Sequence, residues 1–167
     1  MSPRLVLVGP PGSGKSTVAR LVADLWGTAW RDTDKDIEAR TGTSIGDIFI
    51  DHGETHFRAL EAVAVAAALE EDDGVLAVGG GAILDTHTRA LLETAQVVFL
   101  DVGITDAAKR IGFNRDRPLL LGNPRAQWIR LMEARRPLYE QIATYTVATD
   151  GKSPAEVAGE VIARVSA

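Results

Sequence analysis

Residues 9–16 read GPPGSGKS, a pattern that can bind the phosphate chain of a nucleotide. Gly12 and Gly14 let the backbone turn its N–H groups inward, because glycine has no Cβ to clash in such a turn. A helix that begins directly afterwards adds the positive end of its dipole at the same position. Lys15 supplies a charge for the outer phosphates, and Ser16 supplies a hydroxyl that can bind Mg²⁺. The pattern predicts a nucleoside triphosphate site and says nothing of the second substrate. The predicted nucleotide-binding set is Gly12, Ser13, Gly14, Lys15, Ser16 and Thr17.

Two carboxylates, Asp32 and Asp34, follow a second strand-like segment. If both lie on one strand around Thr33, they point the same way and can serve one site. One would then steady the shell of Mg²⁺, and the other would accept a hydroxyl proton from the second substrate. The alternative is that this segment caps a helix, since Asp36 and Glu38 suit a first helical turn. The residues by themselves leave both interpretations open.

Three consecutive glycines, Gly79, Gly80 and Gly81, follow the apolar segment Val75–Val78. Glycines at the end of a strand leave the backbone amides open to the close approach of a ligand. A plain turn rarely needs three glycines in a row. We therefore expect a ligand to contact this part of the backbone.

The basic residues are distributed unevenly along the chain. The formal net charge is -5, yet seven of the 14 arginines lie between Arg110 and Arg136. The acidic balance argues against general nucleic-acid binding, which rests on a basic surface. A guanidinium group matches two oxygens of a phosphate or carboxylate at once. The cluster is therefore either a binding element for a small anion or a solvated helix face.

The overall composition excludes several classes of protein. A chain of 167 residues is near the usual size of one domain, so we expect a single domain over residues 1–167. No cysteine is present, which excludes disulfides and thiolate metal sites. The N-terminus lacks the pattern of a signal peptide, and no apolar run approaches the ~20 residues that span a bilayer. We expect a cytoplasmic protein without a membrane partner.

Short apolar segments alternate with longer helix-like segments, the pattern of a parallel sheet with helices on both faces. The fold class predicted is α/β, a three-layer α-β-α arrangement around five parallel strands. The predicted strands are Leu5–Val8, Ala29–Arg31, Val75–Val78, Val97–Leu100 and Thr146–Ala148. The predicted helices are Ser16–Trp26, Phe57–Glu70, Thr88–Leu92, Thr105–Ile111, Arg125–Ile142 and Pro154–Val165. Gly112–Pro124 combines glycine, asparagine and charged residues and is predicted to be a mobile loop.

In their order along the chain, these motifs resemble those of the shikimate kinases, a branch of the nucleoside-monophosphate-kinase-like P-loop fold. The resemblance covers essentially the whole chain. Besides the three motifs above, it rests on SIGDIF from Ser44 leading to Gly53-Glu54, Phe57-Arg58 with Glu61, RPLL from Arg117, and RRPLY from Arg135. No single later motif is decisive, but all of them occur in register at their usual separations.

The resemblance implies a kinase that transfers the γ-phosphoryl group of ATP to the 3-hydroxyl of shikimate, with Mg²⁺. We expect it to act as a monomer. By this resemblance Lys15 and Ser16 bind the ATP phosphates and Mg²⁺, and Asp32 supports the metal through water. Arg110 and Pro154 fall where the family encloses the adenine.

The resemblance also implies how catalysis is divided among residues. Lys15, Asp34 and Arg117 would be the catalytic residues. Arg117 lies in the predicted loop, 112–124, which would act as a lid and bring this arginine over the transferring phosphoryl group. Asp34 and Gly80 would contact the hydroxyls of shikimate, and Asp34 would take the proton of the attacking hydroxyl.

Two arginines would hold the carboxylate of shikimate by the same resemblance. One is Arg58, and the R-x-P-L-Y spacing selects Arg135 rather than Arg136 as the other. The alternative for Arg58 is a surface ion pair, because Glu54 lies four residues before it and Glu61 three residues after it, both at helical spacing. The predicted substrate-binding set is Asp34, Arg58, Gly79, Gly80, Gly81 and Arg135.

Three other functions compete with this prediction. A kinase of another small acid, such as gluconate, could share the fold. A nucleoside-monophosphate kinase would need arginines for a second phosphate and a pocket for a base. A catalytically silent ATP-binding module would be free to lose the residues that remain here: Lys15, Asp32, Asp34 and Arg117.

Overall fold

The computed structural model describes residues 3–111 and 123–166, and its centre is a five-stranded sheet. The strands are β1 (Leu5–Val8), β2 (Trp30–Asp32), β3 (Val75–Ala77), β4 (Val97–Asp101) and β5 (Tyr145–Ala148). They lie side by side in the order β2-β3-β1-β4-β5, and every neighbouring pair is parallel. The predicted five-stranded parallel sheet is confirmed.

The helices connect these strands as in repeated βα units. They are α1 (Lys15–Trp26), α2 (Thr33–Thr41), α3 (Ile45–Glu71), α4 (Thr86–Leu92), α5 (Ile104–Ile111), α6 (Pro124–Ile142) and α7 (Pro154–Ser166). A short 3₁₀ helix, Ala82–Leu84, follows β3. Each predicted helix is present, with ends that differ by a few residues, except that α3 begins twelve residues before the predicted Phe57.

Both faces of the sheet are buried, because side chains alternate along each strand. On one face, Val6 and Phe99 pack with residues of α3, α4 and α6. On the other face, Leu5 and Leu7 pack with residues of α1 and α7. This gives the predicted three layers, and it explains why the strands read as unbroken apolar runs.

The predicted helices do not include α2, which only the capping interpretation of the acidic segment implies, or the part of α3 that precedes Phe57. The first of these is rich in Thr and Asp, which have weak helix propensity, and it lacks an apolar stripe. In α3 the backbone of Gly53 is non-helical, with φ 85°. Local caps stabilise both starts, since the side chain of Asp32 accepts from the Asp34 N–H and that of Ser44 accepts from the Asp47 N–H.

Strand β2 lies one residue later than predicted, and this changes the geometry of the acidic pair. It ends at Asp32, and α2 begins at Thr33. Asp32 Oδ1 accepts the Asp34 N–H at 2.9 Å, so Asp32 is the N-cap of α2. The expectation that both carboxylates project from one strand is wrong, and the capping interpretation is correct.

The predicted mobile loop, at 112–124, lies almost entirely outside the described residues, and so does Arg117. Of that loop only Asn123 and Pro124 are described, and the Asn123 side chain accepts from the Ala126 N–H at 3.2 Å to cap α6. Within residues 3–111 and 123–166, no helix is long and apolar enough to cross a membrane.

Candidate active site

A cavity of about 910 Å³ lies where β1, β2 and β3 end. Ligands bind at the carboxyl ends of the strands in open parallel sheets, and the volume is in the range of small-molecule sites. The wall contains most of the residues that the sequence predicts for a site. They are Gly12, Ser13, Gly14, Lys15, Ser16, Thr17, Asp32, Asp34, Arg58, Gly80, Gly81, Arg110, Arg135 and Pro154.

The loop after β1 has the conformation that its glycines predict. Gly12 and Gly14 have φ values of 85° and 88°, which favour glycine. A Cβ on Gly12 would also lie 3.0 Å from the Cβ of Ala107. No side chain of the described residues caps the start of α1 at Gly14. The first amides of α1, together with the helix dipole, can therefore bind phosphate oxygens.

Two side chains, those of Lys15 and Trp128, fix the shape of the loop. Lys15 Nζ donates to the Gly9 carbonyl at 2.8 Å and to the Pro10 carbonyl at 3.3 Å. From α6, the indole Nε1 of the buried Trp128 donates to the Pro11 carbonyl at 3.0 Å. The ammonium group of Lys15 is thus held beside the phosphate-binding amides.

The oxygen atoms of Ser16 and Asp32 fit a magnesium ion. Ser16 Oγ donates to Asp32 Oδ2 at 2.5 Å, while the other oxygen of Asp32 caps α2. Mg²⁺ prefers hard oxygen donors and takes few from the protein, because water and phosphate oxygens complete its shell. In the described parts of the chain, no group of three His, Cys, Asp or Glu side chains could hold a metal. The donor set therefore fits a metal that arrives with phosphates.

Arg110 and Pro154 lie in the part of the cavity wall formed by α5 and the start of α7. The guanidinium of Arg110 donates to the Gly12 carbonyl at 3.0 Å and to the Thr149 carbonyl at 2.9 Å. This arginine therefore joins the phosphate loop to the loop that follows β5. Pro154 lies within a capping box at the start of α7, in which Ser153 and Glu156 exchange two hydrogen bonds of 3.1 Å each.

At the other end of the cavity, both interpretations of Arg58 hold: it forms ion pairs, and it faces the cavity. Its Nε donates to Glu54 at 3.2 Å and its Nη1 donates to Glu61 at 2.7 Å, so the ion pairs exist. The same guanidinium lines the cavity and lies against Gly81, where a Cβ would overlap it. The ion pairs thus orient a cation that faces the cavity.

Glu61 is part of this site, although the sequence indicates it only as a surface partner of Arg58. The residue is 2% exposed, and burial raises its pKa although the positive charge of Arg58 acts in the opposite direction. In the sequence, only its position three residues after Arg58, within the same motif, indicates that Glu61 could belong to the site. Burial could not be read from that spacing, because the packing of α3 against the sheet decides it.

The two adjacent arginines of α6 point in different directions. Arg135 is 5% exposed and lines the cavity, and its burial lowers its pKa. Arg136 forms two hydrogen bonds of 2.9 Å with the carboxylate of Asp101, away from the cavity. The geometry therefore supports Arg135 as the arginine that meets a ligand.

Gly79 has a different role from the two glycines that follow it. Its N–H donates to Thr33 Oγ1 at 3.1 Å, and Gly79 is not part of the cavity wall. The expectation that this amide is open to a ligand is therefore wrong. A Cβ at Gly79 would lie 2.5 Å from Glu61 Oε2 and 2.7 Å from Asp34 Oδ1. Glycine is needed here because two carboxylates approach the backbone.

We expect Gly79→Ala to lower kcat/KM by about 10-fold or more, because the new methyl group displaces Asp34 or Glu61 from the cavity end, and small misplacements of reacting groups are costly. Gly159→Ala on α7 is the matched control, since no described atom beyond the adjacent backbone of its own helix lies within 4 Å of a Cβ there. Helix propensity predicts that this control is slightly stabilised. Steady-state kinetics and thermal unfolding of both variants provide the check, and wild-type kinetics for Gly79→Ala would contradict it.

Comparisons with known proteins agree on one family. The family profile described as shikimate kinase matches residues 11–166. A shikimate kinase of Streptomyces avermitilis is 59% identical over 160 residues, which cover 96% of this chain and 94% of that protein.

Solved structures are similar over the whole fold. A shikimate kinase of Acinetobacter baumannii in complex with shikimate matches with a TM-score of 0.94 and 35% identity, covering 99% of this chain and 93% of that one. A gluconokinase of Sinorhizobium meliloti matches with a TM-score of 0.61 and 19% identity, covering 99% of this chain and 92% of that one. At that identity the second likeness shows a shared fold and nothing more.

Proposed function

The chain belongs to the shikimate kinase family, and on that premise we propose that it converts shikimate and ATP into shikimate 3-phosphate and ADP. This reaction is a step in the biosynthesis of aromatic amino acids. One observation carries the proposal beyond family membership: a single cavity has the phosphate loop at one end and Asp34, Arg58 and Arg135 at the other. A nucleotide and a small hydroxy acid can therefore meet inside it.

The end of the cavity that contains Asp34, Arg58 and Arg135, called the acceptor end below, matches the chemistry of shikimate. A carboxylate can accept parallel hydrogen bonds from guanidinium groups, and Arg58 and Arg135 both face the cavity. Asp34 can accept a hydrogen bond from a hydroxyl of the ring. These contacts would orient the 3-hydroxyl toward the γ-phosphorus, which is the main task of a phosphoryl-transfer enzyme.

In the transfer step, the oxygen of the 3-hydroxyl forms a bond to the γ-phosphorus while the bond from that phosphorus to the β,γ-bridging oxygen breaks. The hydroxyl proton passes to the carboxylate of Asp34, and ADP leaves with the bridging oxygen. Lys15 and the first amides of α1 stabilise the negative charge on the phosphoryl oxygens. Water could otherwise act as the acceptor, so the transfer step requires a closed site that excludes it.

Members of this family use ATP, and we propose Mg²⁺ as the accompanying metal. Ser16 and Asp32 would hold it together with phosphate oxygens, and it would neutralise charge on the triphosphate. One chain supplies both ends of the cavity, which supports a monomer as the active form.

The decisive experiment is a coupled ADP-release assay with a panel of acceptors. We expect MgATP and shikimate to give ADP, with loss of the signal when EDTA removes the metal. Gluconate, a nucleoside monophosphate and water alone should give only background. ADP release with gluconate and none with shikimate would overturn the proposal, and binding of ATP without turnover of any acceptor would identify a silent module.

The adjacent arginines of α6 give a sharper test of the acceptor end. Arg135→Ala should raise the KM for shikimate by about 10-fold or more, the size of a lost hydrogen bond to a charged group. The matched control is Arg136→Ala, which should leave this KM within about threefold, because Arg136 pairs with Asp101 in a partly exposed position, where an ion pair contributes at most ~1 kcal/mol. Steady-state kinetics with shikimate varied would check both, and the reverse ranking would show that Arg136 is the ligand contact.

A further inference from the structure

Tyr139 is a fully buried residue of α6 that the proposed mechanism does not use. It follows Arg135 by four residues, so both side chains project from the same face of the helix. Its exposed fraction is 0%, and it does not line the cavity. Its ring stacks on Phe99 of β4, with 4.9 Å between the ring centroids and an angle of 21° between the planes. The position of the hydroxyl group is therefore fixed by the sheet.

The hydroxyl of Tyr139 links two parts of the acceptor end. It donates to the Gly80 carbonyl at 2.6 Å, and the positive charge of the Arg135 guanidinium acts on the same hydroxyl. A phenol has one proton and can accept further bonds, whereas a guanidinium can only donate. Tyr139 donates its proton to Gly80, so towards the neighbouring Arg135 its oxygen can act only as an acceptor.

Both partners of this hydroxyl lie in the cavity wall. A Cβ on Gly80 would be 3.5 Å from Nη1 of Arg135, so the glycine backbone and the guanidinium are neighbours. Burial raises the pKa of Tyr139 to about 12, so the hydroxyl keeps its proton, and remains a donor, at any pH at which the enzyme is assayed. Burial also costs the Arg135 guanidinium its contact with water, and the oxygen of the neighbouring Tyr139 can replace part of that contact.

We propose that Tyr139 is a positioning residue, which holds the guanidinium of Arg135 and the backbone of Gly80 in the arrangement that receives the carboxylate and a hydroxyl of the acceptor. The inference rests on the proposed function, because it concerns the acceptor half of that same cavity. It assigns to Tyr139 no contact with substrate. The competing explanation is that the hydroxyl merely satisfies buried polar groups and has no effect on acceptor binding.

Tyr139→Phe separates these explanations, because it keeps the ring and its stacking on Phe99 and removes one oxygen. We expect the KM for shikimate to rise about 10-fold, with kcat and the KM for ATP within about threefold of wild type. The matched control is Tyr145→Phe, which alters the other of the chain's two tyrosines. Tyr145 lies on β5, packs with the α1 and α7 side of the sheet, and should tolerate the change without effect on either KM.

Each outcome of this comparison decides the question. An unchanged KM for shikimate in Tyr139→Phe overturns the inference, and so does an equal rise in the KM for ATP, which indicates general loosening. Wild-type protein is assayed first with shikimate. If it releases no ADP, the proposed function fails and the inference falls with it, whereas an active wild type with an unaffected Tyr139→Phe removes the inference alone.

A second variant covers the case in which Tyr139→Phe does not fold. The Tyr145→Phe protein is expressed in cells that are supplied with 3-fluorotyrosine in place of tyrosine. Because only one tyrosine is left, this places a single fluorinated ring, at position 139. The fluorine makes the hydroxyl a stronger donor and a weaker acceptor for Arg135, and leaves the ring in place. We expect at least about a twofold change in the KM for shikimate relative to unlabelled Tyr145→Phe, and none in the KM for ATP. Equal values for the two proteins would overturn the inference.

Discussion

Lys15→Ala should lower kcat by at least ~10²-fold, the scale of one electrostatic contribution to a transition state. The ammonium group is held by carbonyl oxygens of the phosphate loop, at the start of α1 and beside the amides that face the cavity. Alanine keeps the helix and removes the charge that stabilises the transferring phosphoryl group. The KM for ATP should also rise, because the same charge attracts the phosphates in the ground state.

The measurement is steady-state ADP release with both substrates at saturation. Lys109→Ala is the matched control, because Lys109 is exposed on α5 and does not line the cavity. That variant should keep kcat within about twofold of wild type, as surface substitutions usually do. A Lys15→Ala enzyme with near-normal kcat would remove this lysine from the transition state.

Asp34→Asn should likewise lower kcat by at least ~10²-fold, the usual contribution of general base catalysis. Asparagine has nearly the same shape and can still accept a hydrogen bond from a substrate hydroxyl, but it cannot take up the proton. The KM for shikimate should therefore change much less than kcat, which is the pattern of an interaction that matters mainly in the transition state.

Asp24→Asn, on an exposed part of α1, is the control for loss of one carboxylate elsewhere. Its kinetics should match those of wild type. Calorimetric titration of the Asp34→Asn enzyme with shikimate would verify that binding survives. If turnover is near normal while binding is intact, Asp34 orients the acceptor and another group receives the proton.

Much of the fold follows from local patterns in the sequence. Leu5–Val8 is a strand because an unbroken apolar run is stable only between two covering layers, and the glycines that follow allow one tight turn into α1. The capping box of α7 is likewise readable, since Ser153 and Glu156 are three residues apart. The first half of α3 and all of α2 were not predictable in this way, because caps and tertiary packing stabilise them against weak helix propensity.

The phosphate site was also determined by sequence alone, because its eight residues are contiguous and their backbone geometry is set by Gly12 and Gly14. The acceptor site was not, since its residues come from four separate segments. Asp32 shows how the structure adds to the sequence. Its spacing indicated a metal ligand or a helix cap. In the structure, one carboxylate oxygen accepts a hydrogen bond from Ser16 and the other accepts one from the first turn of α2.

Tertiary structure alone decided the direction of individual side chains. Neighbouring helical residues differ by about 100° in direction, so the rotation of α6 against β4 sends Arg135 into the cavity and Arg136 to Asp101. The same rotation places the hydroxyl of Tyr139 on Gly80, and the packing of α3 buries Glu61 beside Arg58. A motif specifies which residue types are present, but the burial and orientation that give them their chemistry depend on contacts with residues far away in the chain.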